Sequence, residues 1–352
     1  MRKKSLEFLQ ALIAAPSPSG FESAAQQVWR NYADTVSDAV EYDYHGNSIA
    51  VLNGEAAPRI MLAGHCDELG FIVKYVDSNG FIYFSTIGGH DLSMVPGRRV
   101  VIHTQKGPIR GVTGKKAIHL MTPEERKKVP LIQNLWIDIG ASSKEEVLEK
   151  VRIGDPVVYD VEFQPITDDI ATSRAFDNKV GAFAVIEALR LLKNVKLKAS
   201  VFSVATVQEE IGLRGARTSA FSVDPDIGIA IDVTHATDHP EVSKVKVGEV
   251  YLGKGPVINR GANSNHKVVE LLIEAAEKEK IPYQLEATAG GTPTDANAIQ
   301  LTRSGVATAL ISVPLRYMHT PSEVVSLSDV ENTAKLLAAF IKRVTPKIDF
   351  RQ

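Results

Sequence analysis

Apolar positions near the start of the chain recur at helical spacing. Leu6, Leu9, Leu12 and Ile13 share one face of an amphipathic helix, and a second helix is expected around Ser23–Tyr32. Extended stretches follow at Gly46–Leu52 and Arg59–Ala63. From about Phe71 to Pro165 the texture changes to short strands broken by glycine turns. Phe71–Val76 and Phe81–Thr86 flank Ser78-Asn79-Gly80, which predicts a hairpin. Arg98–Thr104 and Gly107–Thr113 flank Lys106-Gly107, and Pro156–Val161 is a further strand. The charged stretch Pro123–Lys128 reads as a solvated loop or short helix.

Beyond Pro165, helices and apolar strands alternate. A helix over Asn178–Leu192 places Val180, Phe183, Ala184 and Leu191 roughly on one face. Ala199–Val207 is almost continuously apolar, as befits a strand buried in the middle of an α/β sheet. Asp226–Ile231 and Gly305–Val313 are similar strands, while Lys267–Lys280 and Leu327–Val344 read as helices. This order predicts an α/β sandwich, residues 1–70 and 166–352, with a small β-rich, barrel-like domain inserted at 71–165.

Composition removes several function classes. The chain has 352 residues, of which 40 are basic and 42 acidic, so its formal net charge is −2. Such a balance lacks the field expected of a protein that binds nucleic acid or a membrane surface. No stretch approaches the roughly 18 apolar residues that a membrane span requires. Lys3 and Lys4 before an apolar run imitate a signal peptide, but Glu7 and Gln10 interrupt the run. A cytoplasmic location is therefore expected. The single cysteine, Cys66, excludes an intrachain disulfide and a cysteine-based zinc site. Any metal must be held by His, Asp and Glu.

Those residue types gather where the apolar strands end. Arg59–Ala63 runs into Gly64-His65-Cys66-Asp67-Glu68, Ala199–Val207 into Gln208-Glu209-Glu210, and Asp226–Ile231 into Asp232. Gly305–Val313 leads through five residues to His319, and Asp177 precedes a helix. In open α/β sheets ligands bind beyond the carboxyl ends of strands, so these termini could face one crevice. Any one of these groups alone would ordinarily be a turn residue, a helix cap or a solvated pair. Their joint occurrence points to two zinc-like ions, which need a bridging carboxylate and a further carboxylate to take a proton from the shared water. Alternate residues of an extended segment point the same way, which puts Asp67 behind His65.

At these residues the chain resembles the two-zinc aminopeptidases that include the tetrahedral (TET) aminopeptidases and glutamyl aminopeptidases. The resemblance spans nearly the whole chain. It is carried by PSPSGFE, AGHCDELGFIV, IGGHD, WIDIGASSKEE with VRIGDPVVYD, SRAFDNKVG, VQEEIGLRGA, AIDVTHA, GGTPTDANAI and SVPLRYMHTPSEV, in that order. It implies a zinc-peptidase-like α/β/α sandwich and hydrolysis of the N-terminal residue of peptides that have a free N-terminus. It further implies His65 and Asp232 on one ion, Glu210 and His319 on the second, and Asp177 bridging them. Glu209 would be the general base and Asp67 the residue that orients His65. Two divalent ions per subunit are implied, zinc foremost, with cobalt or manganese also compatible with N/O donors. The bond after the bridging Asp, here Asp177–Asn178, is cis in the family. Members assemble through the inserted module as dimers and often as tetrahedral dodecamers.

Some residues stay without a role. His45, His103, His119 and His266 lack a partner pattern, and the five ligands above leave no place for His235 or His239. Cys66 is expected to be a small buried side chain. Gly290-Gly291-Thr292 could line a substrate pocket or simply turn the chain, and Arg260 and Arg316 could bind a substrate carboxylate or form ion pairs. Two other functions compete. An endoglucanase label attaches to some members of the family, but the candidate carboxylates look committed to metal. Aromatic content of 7%, with only Trp29 and Trp136, makes a sugar platform unpromising. A non-catalytic scaffold would be favoured by loss of Glu209 or of a ligand, and none is lost.

Overall fold

The structure is a computed structural model and describes residues 1–351. The chain opens with helices α1 (Lys3–Ala14) and α2 (Ser23–Ala33) and strands β1 (Ala39–Tyr42), β2 (Ser48–Leu52) and β3 (Arg59–His65). Strands β4 (Gly70–Val76), β5 (Ile82–Ile87), β6 (Arg99–Thr104), β7 (Gly107–Gly114) and β8 (Trp136–Asp138) follow, then helix α3 (Lys144–Leu148) and strand β9 (Pro156–Tyr159). Next come β10 (Gln164–Pro165), β11 (Ile170–Ser173), α4 (Phe176–Leu192), β12 (Ser200–Thr206), α5 (Arg214–Val223), β13 (Ile227–His235) and α6 (Lys244–Val247). The chain continues through β14 (Val257–Gly261), α7 (His266–Glu279), β15 (Gln284–Thr288), α8 (Asp295–Ile299), β16 (Ala307–Arg316), β17 (Glu323–Ser326) and α9 (Leu327–Ile341).

Two β systems result. Among the described residues, an eleven-stranded sheet runs β1-β2-β12-β3-β13-β16-β17-β11-β10, with β14 paired to β16 and β15 to β14. Its middle, β12-β3-β13-β16, is parallel. The parallel strands alternate strictly between two cores. Ile60 and Leu62 of β3 join the core shared with α1, α4, α7 and α9, whereas Met61 and Ala63 join the core beneath α5 and α8. This period of two places helices on both faces, so the layers are α/β/α.

The second system is a closed barrel, β4-β5-β8-β7-β6-β9. The expected hairpin is present, with Val76 opposite Ile82. The Asp77 carboxylate accepts the amides of Asn79 and Phe81, and Gly80 supplies the positive φ of 87° that the turn needs. The barrel has a core of its own around Phe71, Phe84, Val100, Ile102 and Val157. The charged stretch before Pro130 contains a short exposed 3-10 turn at Glu125–Lys127.

Two sequence expectations need correction. Helix α4 does not present one apolar face: every residue from Phe176 to Leu189 is buried, while Leu191 is only half-buried. The helix lies between the sheet and the outer helices, so all its sides meet protein. Asp232 does not follow its strand. Strand β13 continues to His235 because β16 runs beside it, and Asp232 pairs in register with Ser312. Among the described residues no helix is long and apolar enough to cross a membrane.

Candidate active site

Helix α4 reaches the site through a backbone-to-backbone contact. A Cβ on Gly64 would lie 2.4 Å from the Gly181 carbonyl carbon, and one on Gly181 would lie 2.7 Å from the Ile231 carbonyl oxygen. Only glycine at both positions lets α4 settle this close to β3 and β13. The consequence is functional, because the helix then carries Asp177 to the carboxyl end of the sheet, beside His65 at the end of β3. The Asp177–Asn178 peptide bond is cis, as the resemblance implied. Asn178 reaches into the sheet, donating to the Ile231 carbonyl at 2.7 Å.

The structure brings together all seven residues singled out in the sequence. The two oxygens of Asp177 face different imidazoles: Oδ1 is 3.3 Å from His65 Nε2, and Oδ2 is 3.3 Å from His319 Nε2. Asp232 Oδ1 and Glu209 Oε2 each lie 3.8 Å from His65 Nε2. On the other side, Glu210 Oε2 lies 3.8 Å from His319 Nε2. Donor atoms of His65, Asp177 and Glu210 fall within 4.8 Å of one another, and so do those of His65, Glu209 and Asp232.

Asp67 is the hub of the arrangement. It is fully buried, and its Oδ1 lies 3.4 Å from His65 Nδ1. The same carboxylate accepts the backbone amides of Glu209 at 3.0 Å and Glu210 at 3.1 Å, together with the Ser19 hydroxyl at 2.6 Å. His65 Nδ1 hydrogen-bonds the Asp67 main-chain carbonyl at 3.2 Å, so residue 67 orients the ring through its backbone and carries the turn of both glutamates on its side chain.

The electrostatics favour cations. Burial, reinforced by Asp232, Asp295 and Glu210, pushes Glu209 up to about 10 despite the nearby His65. Burial and Asp177 likewise push Glu210 up to about 8, and burial pushes Asp232 up to about 7. Burial also opposes ionisation of Asp177, but the His319 and His65 hydrogen bonds outweigh it and hold that group low. His319 rises to about 9, chiefly through its bond to Asp177. Burial disfavours the His65 cation, yet the surrounding carboxylates raise its pKa well above the ordinary value. Five buried carboxylates around two imidazoles thus carry more negative charge than the metal-free site can hold. Glu210 Oε1 and Asp295 Oδ1 are also buried without a hydrogen-bond partner. An all-N/O donor set with surplus buried anion and an orphaned acceptor fits divalent cations.

Sequence reasoning gave no role to several residues that complete the site. Glu323 accepts the amides of both Asp177 and His319. Asp295 takes the Thr206 hydroxyl at 2.6 Å beside the Glu209 turn, and burial raises it to about 6. Glu68 binds Arg174 and Lys179 in a buried cluster behind Asp177. All of these lie inside the quoted motifs. Glu323 acts through two backbone amides, and Asp295 and Glu68 through side chains of distant segments, which local spacing does not reveal. The IGGHD segment after β5 roofs the site: a Cβ on Gly89 would lie 3.6 Å from His319, and one on Gly88 would lie 3.5 Å from Glu210. Next to it, His90 hydrogen-bonds the Gly70 carbonyl at 2.9 Å.

Neither donor cluster contains another histidine, and Cys66 is buried and free. Arg316 is paired bidentately with Asp238, and Arg260 pairs with Glu270. The Thr292 hydroxyl is buried against Asn263 and Thr294. A larger crevice of about 920 Å³ sits at the opposite end of the strands, near Arg59, Asp226 and Arg303. Its arginines are spent on local carbonyls, Asp224 and Asp349.

Known proteins resemble this chain over most of its length. Residues 46–336 match the model of the M42 glutamyl aminopeptidase family. A lysyl aminopeptidase of Pyrococcus furiosus is 37% identical, over 98% of both chains. The TET aminopeptidase of a marine sediment Thaumarchaeota archaeon superposes with a TM-score of 0.93 at 37% identity, covering 98% of this chain and 97% of that one. The TET1 peptidase of Pyrococcus horikoshii, which can assemble into a tetrahedron or a large octahedral shell, has a TM-score of 0.86 at 34% identity, covering 97% of this chain and all of its own. With its α/β/α sandwich, its barrel and a family match across most of its length, the chain belongs to the M42 aminopeptidases.

Proposed function

We propose that this protein is a metal-dependent aminopeptidase with two divalent ions per subunit, most simply zinc. The observation that carries this reading is the presentation of Asp177, which turns one carboxylate oxygen to His65 and the other to His319. His65 and Asp232 would hold one ion, Glu210 and His319 the other, and Asp177 both. Bound ions of this kind lower the pKa of a shared water and polarise the scissile carbonyl.

The protein's own residues do the rest. Glu209 takes the proton of the attacking water and returns it to the leaving amine. Burial raises its basicity, and bound cations would offset the further rise that Asp232 and Asp295 cause, leaving it ionised to accept a proton. Asp67 holds His65 in one ring orientation and clamps the Glu209–Glu210 turn through two backbone bonds, so base and ligand keep a set separation. Residues 1–70 and 166–352 would form the catalytic unit. The module at 71–165 would roof the site through Gly88-Gly89 and carry contacts to other copies of the chain.

The test is release of amino acids from amino-acyl chromogenic substrates, with and without chelator, run beside a cellulose-type assay. Chelator-sensitive release with no glucan cleavage supports the proposal. Chelator-resistant release, or glucan cleavage alone, refutes it.

A further inference from the structure

The two groups that define the bridging geometry both sit where regular structure does not hold them. Asp177 lies in the non-helical first turn of α4, and His319 lies in the connection between β16 and β17 with a left-handed φ of 61°. Their backbone N–H groups have no ladder or helix partner. One side chain serves both. Glu323, 3% exposed at the start of β17, accepts the Asp177 amide on Oε2 at 3.1 Å and the His319 amide on Oε1 at 3.1 Å. We propose that Glu323 is a positioning residue that sets the separation of Asp177 and His319, and thereby the second metal position. It is in neither donor cluster, and its two oxygens each accept one of these amides. The inference rests on the two-ion reading above.

Glu323→Gln tests it, because the amide keeps the size of the side chain but offers a single acceptor, and its NH2 faces an N–H donor. Asp329→Asn is a matched control. Asp329 is also buried and accepts two backbone amides, those of Gly253 and Gly255 at 2.7 Å each, but it has no contact with the site. The purified full-length proteins are titrated with Zn2+ against a competing chelator, and bound metal is counted by elemental analysis. The expected result is two ions on the wild type and on D329N. In E323Q the first ion is retained and the second binds about 10- to 100-fold more weakly. Faster amide exchange at Asp177 and His319 in metal-free E323Q would accompany it. Equal second-ion affinity in E323Q and D329N, or equal loss in both, overturns the role of Glu323 and leaves the two-ion reading intact. A wild type that binds no divalent ion overturns both. Should E323Q not fold, E323D is read in the same way, since it keeps both acceptors but is one methylene too short to reach both amides.

Discussion

Asp67 shows how much one buried carboxylate organises. Its main-chain carbonyl hydrogen-bonds His65 Nδ1, and its carboxylate accepts the amides of both glutamates and the Ser19 hydroxyl. The glutamates themselves divide the work by position: Glu210 leans toward His319 and Glu209 toward His65. Two outcomes belong to this scale. Glu209→Gln should retain bound metal but lose about 10²- to 10⁴-fold in kcat, the usual worth of a positioned general base. Near wild-type turnover would remove Glu209 from the mechanism. His65→Ala and Asp177→Ala should instead lose metal, as counted by elemental analysis of the purified proteins. Retention of two ions in Asp177→Ala would exclude a bridging role.

At the scale of elements, the decisive contact is α4 on the sheet. A helix buried on every side is placed by its small residues, and Gly64 against Gly181 lets the two backbones touch. Gly181→Ala would put a methyl 2.4 Å from Asn178 Oδ1 and 2.7 Å from the Ile231 carbonyl. Neither neighbour is a flexible side-chain end with room to withdraw, since Asn178 is fully buried and bonded to β13. The expected cost is about 1–3 kcal/mol, seen as a lower urea midpoint at unchanged slope. Because the same shift would move Asp177, metal affinity should fall with it. An unchanged midpoint would show that the helix can slide without loss.

At the scale of the whole molecule, a buried ionic cluster ties the N-terminal segment, β3, the barrel entrance and α4 together. Glu68 accepts the Ser17 amide and binds both Lys179 and Arg174, while Lys179 also donates to the Ala15 carbonyl and Arg174 to the Ala14 carbonyl. Burial alone would raise Glu68, but Arg174 and Lys179 outweigh it and lower its pKa from 4.5 to about 2. A carboxyl held lower in the folded state than in the unfolded chain stabilises fully above the unfolded value. That contribution is lost as pH falls from 4.5 toward 2. Glu68→Gln leaves two cations buried without their anion and should cost about 3–5 kcal/mol at neutral pH. It should also flatten the acid limb of the stability profile across that window, and an unaltered limb would show that other groups govern it. The barrel offers a second test at this scale. Ile118, Leu120 and Leu131 are large, apolar and exposed on its long β7–β8 connection, as suits a contact between copies. Leu120→Asp should shift the protein toward smaller species in sedimentation, with the fold retained by circular dichroism. An unchanged distribution would remove this surface from any contact between copies.

What was legible beforehand follows from the range of the physics involved. Periodicity of two and of 3.6 is local, so the buried strands, the hairpin at Ser78-Asn79-Gly80 and the amphipathic helices could be read from neighbouring residues alone. Absence of cysteine ligands is compositional, and it leaves His, Asp and Glu at strand ends as the candidate donors. The cis bond after Asp177 and the division of ligands came from family resemblance rather than from periodicity or spacing. Tertiary structure alone decided the rest. The burial of α4 on all sides, the extension of β13 through Asp232, and the service of Glu323, Asp295 and Glu68 depend on which segments meet across the sheet. A carboxylate that accepts amides contributed by other segments has no periodic trace. Sequence determined which side chains could do the chemistry; packing determined which backbone groups hold them at the distances that chemistry needs.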